Sequence, residues 1–272
     1  MCGRYSASRS AEDLVRAFEV DEVAGVDELD EGELAARWNV APTDDVYAVL
    51  ERAPRGEPEA APRRVLRPVR WGLVPSWAKD PKIGSRLINA RVETLAAKPA
   101  FKKALVARRC VLPADGYYEW YQTTGDSAPE AGPKNKRKQP FFIRPRDGGI
   151  LALAGLYELW RDDRYERDDQ RAWLWSATVI TTEATDDLGR IHDRMPMFVE
   201  AAQVDAWLDP ERTDVEDLQR LLVPAAPGRL VAYPVSTAVG NVRNEGPALV
   251  EPIPAEESLV DVQPTAIGDT LF

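Results

Sequence analysis

Apolar and polar positions alternate along the chain in two registers. After Ser10, "AEDLVRAFEV" places Leu14, Ala17 and Phe18 on one face of a helix, with Ser10 and Asp13 forming a capping-box-like start. "VYAVLE" reads as a strand and "RGEPEAAPRR" as a turn-rich connection. Five further strands follow at "CVLPA", "GYYEW", "PFFIR", "LALAGLYEL" and "WLWSATVITT", the last a β-branched and aromatic run suited to burial. "EAAQVDAWLD" and "DVEDLQRLLV" are helical by period and carry acidic residues in their first turns.

Between these segments, "DELDEGELAA" reads as a solvated loop or short helix. "QTTGDSAPEAGPKNKRKQ" and "RDDRYERDDQ" read as hairpin loops. There is no internal repeat, no Gly-rich phosphate loop and no strict β-α alternation. Strands come in runs and helices in runs, so the expected class is α+β. The expected architecture is a single domain with curved, mainly antiparallel, barrel-like sheets flanked by helices. It covers residues 1–252, with a flexible tail over 253–272.

The 272 residues, 44% of them hydrophobic, suffice for a sizeable core. No signal peptide and no membrane-length apolar run is visible, which points to the cytoplasm. Two distant cysteines and one histidine make neither a disulfide framework nor a metal cluster, so no metal and no cofactor is expected. A formal net charge of -10 argues against nucleic acid, but its distribution does not. Between Pro62 and Cys110 lie thirteen Lys/Arg against only Asp80 and Glu93. This suggests a basic face on an acidic body, with a surface fluctuation as the bland alternative. The arginine-rich, acid-rich balance fits a salt-rich cytoplasm and equally a GC-rich genome.

Four residues could carry chemistry, and each has an ordinary reading. Cys2 could follow Met1 by accident. Glu119, between aromatics in "ADGYYEWY", is either a strand-edge carboxylate or a buried one whose raised pKa suits proton transfer. His192 in "RIHDRMPM" is more often structural, yet it is the one side chain here that titrates near neutrality. Asn89 in "LINARVET" would ordinarily cap a helix or turn.

Taken together and in order, "MCGRY", "WNVAP", "WGLVPSW", "LINARVET", "ADGYYEW", "HDRMP" and "VGNVRNEG" resemble the SOS-response-associated peptidase family, from Cys2 to about Pro252. The resemblance implies a monomeric, nucleoid-associated sensor of abasic sites in single-stranded DNA. It implies that Met1 is removed and that Cys2 then forms a thiazolidine with the ring-opened sugar. Asn89 would position the amine or sugar, Glu119 would shuttle protons and aid loss of Met1, and His192 would act in ring opening and reversal. It casts Arg4, Arg91 and Arg194 as phosphate ligands, and Asn39 and Pro42 as lining the DNA groove. Trp71 is read as core and Trp77 as a face for base stacking. Cys110 is read as a buried core thiol.

The insert between Tyr121 and Pro140 is longer than the family's hairpin, and its "KNKRK" is a candidate contact to flanking duplex. "IGSRLI" lacks an aromatic wedge. The ending "QPTAIGDTLF" is similar to peptides that dock on a sliding clamp, although Gln263 to Leu271 is a longer spacing than theirs. Two other functions stay open at this point: a cysteine peptidase using Cys2 and His192, and a non-covalent single-strand binder.

Overall fold

The computed structural model describes residues 2–25, 35–54, 56–57, 59–122, 138–184, 191–226 and 228–259. Thirteen strands are formed among them. They are β1 (Tyr5–Ala7), β2 (Glu22–Val23), β3 (Arg37–Val40), β4 (Asp45–Arg52), β5 (Arg63–Trp71), β6 (Asn89–Arg91), β7 (Arg109–Ala114), β8 (Gly116–Gln122), β9 (Lys138–Pro145), β10 (Leu151–Arg161), β11 (Trp173–Glu183), β12 (Arg194–Pro196) and β13 (Leu230–Pro234). Four short α-helices, α1 (Ala11–Phe18), α2 (Lys102–Ala107), α3 (Val204–Leu208) and α4 (Val215–Arg220), flank them.

Antiparallel pairing carries the chain through β11-β10-β7-β4-β5, and a parallel contact between β5 and β11 at Ala177↔Trp71 closes the ring. A second sheet, ordered β13-β9-β8-β1-β3, is reached where β7 passes through Asp115 into β8. The crossing needs Gly116: a Cβ there would lie 2.6 Å from the Ile143 carbonyl oxygen. The fold is therefore α+β with barrel-like, mainly antiparallel sheets.

Closure of the ring gives each strand two buried faces. One core fills the space between the sheets with Cys2, Tyr5, Trp71, Tyr117, Leu153 and Val179. The other lies beneath the helices, with Leu14, Phe18, Leu66, Leu105 and Trp207. In α1, the Ser10 side chain accepts from the Asp13 backbone N–H at 3.2 Å. That cap fixes the helix start, so Leu14 and Phe18 point inward, and each burial stabilises by about 1.5–3 kcal/mol.

The strands read from "VYAVLE", "CVLPA", "GYYEW", "PFFIR", "LALAGLYEL" and "WLWSATVITT" all form, and "RDDRYERDDQ" joins β10 to β11 as a hairpin connection. β5 is a strand that the pattern did not announce. Its arginines and Pro68 hide an apolar set, Val65, Leu66, Val69 and Trp71, that is buried throughout. "DELDEGELAA" largely, the "KNKRK" insert, the segment just before His192 and the clamp-like ending lie outside the described residues.

Three arginines of the basic block are already held by partners within the fold. Arg64 pairs with Glu51 and Asp205, Arg109 is buried on four backbone carbonyls, and Arg108 pairs with Glu158. The attached chain also runs past 252: the Ile253 N–H donates to Pro234 O, and the Leu259 N–H to Gln139 Oε1.

Candidate active site

The N-terminus enters between the two sheets because β1 pairs on both edges, with β8 at Tyr5↔Tyr117 and with β3 at Tyr5↔Val40. The Tyr118 N–H donates to Arg4 O at 2.9 Å, which extends this ladder toward Cys2 and sets Gly3 opposite Glu119. Cys2 is fully buried. Burial, then the neighbouring Glu119 carboxylate, holds its thiol far above the ordinary range. With Met1 attached, the sulfur is a neutral thiol.

Asn89 arrives from the opposite side. β6 pairs in parallel with β11 at Val179↔Asn89. The Asn89 Nδ2 donates to the Cys2 carbonyl at 2.7 Å, which fixes the residue from which the reactive group would hang. Its Oδ1 is buried with no hydrogen-bond partner among the described residues.

Glu119 is 3% exposed. Burial pushes its pKa up to about 7, and the charge of Asp193 adds to the rise. A carboxyl titrating near neutrality can both accept and donate a proton at working pH. His192 is half-buried, and burial lowers its pKa, so the imidazole is neutral at pH 7. Its Nδ1 accepts the Arg194 backbone N–H at 3.0 Å and lies 2.9 Å from Asp193 Oδ1. The backbone donor is fixed while Asp193 is exposed, so the backbone contact assigns Nδ1 as acceptor and puts the proton on Nε2.

The cationic residues divide. Arg4 NH1 donates to Asn39 Oδ1 at 2.7 Å and to Val239 O at 3.0 Å, and its guanidinium lies 5.7 Å from the Trp120 ring centroid. Among the described residues no carboxylate forms an ion pair with it; neutral acceptors hold the guanidinium, while burial lowers its pKa and the charge of Asp44 opposes that. Arg91 is exposed and Trp77 is 58% exposed, as a phosphate ligand and a stacking face require. Pro42 is half-buried beside β3. Trp71 is core, its Nε1 donating to Ile88 O, and Cys110 is a buried free thiol.

Two placements depart from the sequence reading. Arg194 is not free for a phosphate: it is bidentate to Glu93 at 2.7 and 3.1 Å and donates to Thr181 O, bracing β12 against β11. Asn39 is fully buried and lines no groove. Its Nδ2 faces the carbonyls of Val239, Asn241 and Asn244 while its Oδ1 orients Arg4, so it cinches the 239–244 loop onto the site.

Two residues escaped sequence reasoning. Tyr5 and Tyr117 are buried with hydroxyls that lack hydrogen-bond partners among the described residues. Burial, then Cys2, pushes both phenols well up, so both O–H groups lie near the sulfur. The signal was there, in aromatics two residues from Glu119 and three from Cys2, but their inward direction depends on the β1–β8 register. Among the described residues, no three His, Cys, Asp or Glu side chains converge as metal ligands.

The chain that carries this buried Cys2, amide, carboxyl and imidazole is similar over most of its length to known proteins. The family model of the SOS response associated peptidases (SRAP) matches residues 1–242, and the chain belongs to that family. Its curated relatives include the abasic site processing protein YoqW of Bacillus subtilis, 36% identical over 92% of this chain and 99% of its own length. The abasic site processing protein HMCES of Gallus gallus is 32% identical over 93% of this chain and 78% of its own length. A crystal structure of a protein from Bacteroides thetaiotaomicron shares the fold, with a TM-score of 0.72 at 22% identity, covering 93% of this chain and 100% of that one.

Proposed function

We propose that the protein captures abasic sites in single-stranded DNA by forming a thiazolidine crosslink through Cys2 after its own Met1 is hydrolysed away. One observation carries this reading: Cys2 is fully buried and gripped through its carbonyl by Asn89, within reach of a carboxyl whose pKa is about 7. A surface nucleophile would need no such grip.

The chemistry follows from the groups present. Hydrolysis of the Met1–Cys2 amide consumes one water and frees an α-amine, whose ordinary pKa of about 8 leaves a useful neutral fraction at pH 7. In the ring-closed sugar, the C1′–O4′ bond breaks as a solvent water relays the C1′ hydroxyl proton to O4′, while His192 Nε2–H hydrogen-bonds O4′ and stabilises the charge that builds there, exposing the aldehyde. The amine attacks C1′, and the carbinolamine leaves as water with a proton from Glu119, giving an imine. The thiol adds to the imine carbon, its proton passing to nitrogen, and the five-membered ring closes. Amine, thiol and aldehyde thus become thiazolidine plus one water. Arg4 and Arg91 would hold the flanking phosphates, and Trp77 a neighbouring base.

The peptidase alternative fits the geometry less well. His192 Nδ1, which a thiolate–imidazole pair would direct at the sulfur, is occupied by a backbone donor.

The test is incubation with abasic single-stranded DNA, followed by a denaturing gel. The expected adduct is lost in Cys2→Ala and in protein carrying a non-removable residue ahead of Cys2. An adduct persisting at normal yield in Cys2→Ala would overturn the proposal.

A further inference from the structure

The far end of the barrel holds a second site. A cavity of about 430 Å³ opens between the C-terminal end of β4, the start of β5, the end of β10 and the start of β11. Its walls include Arg52, Arg63 and Arg67, together with Trp173 and Trp175. On β11, Trp173 lies six residues before Val179, the partner of Asn89, which is about 20 Å of extended chain. The cavity is therefore separate from the Cys2 site.

Its electrostatics run against the rest of the molecule. In a chain of net charge -10, three guanidiniums converge on this one opening, with Glu22 as the carboxylate on its wall. Arg67 lies 3.4 Å from the Trp175 ring centroid and Arg52 5.2 Å from the same centroid. Tyr157 stacks on that ring at 5.7 Å. The guanidinium planes are thus held by aromatic packing, which costs them little of their charge. Among the described residues, Arg52 donates to the neighbouring Ala53 carbonyl, Arg63 is exposed, and neither is ion-paired with a carboxylate. A guanidinium stacked on an indole, as in Arg52, beside an exposed one, as in Arg63, at a concave site is the chemistry that recognises phosphate.

The volume exceeds what a phosphate alone would fill and lies in the range of small-ligand sites. The remaining wall is mostly apolar, with Ala24, Pro54, Val65 and Leu159 beside the two indoles and Gln170 as its one further polar side chain. Such a site suits a ligand with a planar apolar part joined to an anion. We infer that this cavity binds a nucleotide through its phosphate, supplied either as a free mononucleotide or as the 5′-phosphorylated end of a strand.

Equilibrium dialysis of the full-length protein against labelled dAMP tests this, with unlabelled oligonucleotides lacking abasic sites as competitors. Saturable binding of dAMP, at least tenfold tighter than deoxyadenosine, is expected. It should persist in Cys2→Ala and weaken at least tenfold in Arg63→Glu and in Arg52→Gln. Arg63 is exposed, so its variant tests the site without disturbing the barrel, and adduct formation at Cys2 should continue in both. A strand-end source predicts that a 5′-phosphorylated oligomer displaces dAMP better than its 5′-hydroxyl counterpart, and a free-nucleotide source predicts that neither does. Equal displacement by both oligomers would place dAMP in the single-strand groove and overturn the inference. So would deoxyadenosine binding as tightly as dAMP, no saturable binding, or undiminished affinity in the two arginine variants.

Discussion

Glu119 pays for its chemistry in stability. In the unfolded chain it titrates near 4.5, and in the fold near 7. A carboxyl whose folded pKa is raised stabilises fully below the unfolded value, and that contribution is lost as pH rises through the folded one. Between pH 4.5 and 7 the protein should therefore lose roughly 2–3 kcal/mol through this group. Glu119→Gln should match the parent in denaturant melts at pH 4.5 and exceed it by about that amount at pH 8, while forming adduct more slowly. Equal stability at pH 8 would mean that the carboxyl is not penalised by burial. Tyr5 and Tyr117 show the same economy, since buried hydroxyls without hydrogen-bond partners among the described residues are a cost that functional sites tolerate.

At the scale of elements, the site depends on one tight backbone crossing. Gly72, at φ +134, follows β5, and Gly84 lies in the 3₁₀ turn Pro81–Arg86 that leads to β6. A Cβ on Gly84 would sit 2.5 Å from Gly72 O. Gly84→Ala should cost about 1–3 kcal/mol in thermal or denaturant unfolding. By shifting the strand that carries Asn89, it should also slow adduct formation more than the stability loss explains. The strands β7 to β11 were legible because their apolar runs are long and bounded by polar turns. β5 was not, because its burial arises from ring closure, a contact between residues over a hundred positions apart. β1 and β3 are short and owe their existence to the sheet around them.

For the whole molecule, charge and chemistry are arranged at different ranges. Cys2, Asn89 and Glu119 are brought together from distant parts of the chain. No local pattern marks them as a unit; only the ordered set of motifs did. The arginines were harder to read, because a sequence shows charge but not whether a carboxylate already holds it. Arg91→Gln should leave the melting temperature unchanged and make adduct formation slower and less salt-dependent. Arg194→Gln should lower the melting temperature, since it removes a buried guanidinium that bridges Glu93 and the Thr181 carbonyl. The reverse outcome would return Arg194 to the phosphates.

The most direct measurement of the central claim is the intact mass of the adduct, with its N-terminal peptide sequenced by fragmentation. The expected mass is that of the chain without Met1 plus the abasic strand minus one water, with the DNA remnant on Cys2 and no borohydride needed to preserve it. An adduct that retains Met1, or one that maps to a lysine and survives only after reduction, would contradict the account.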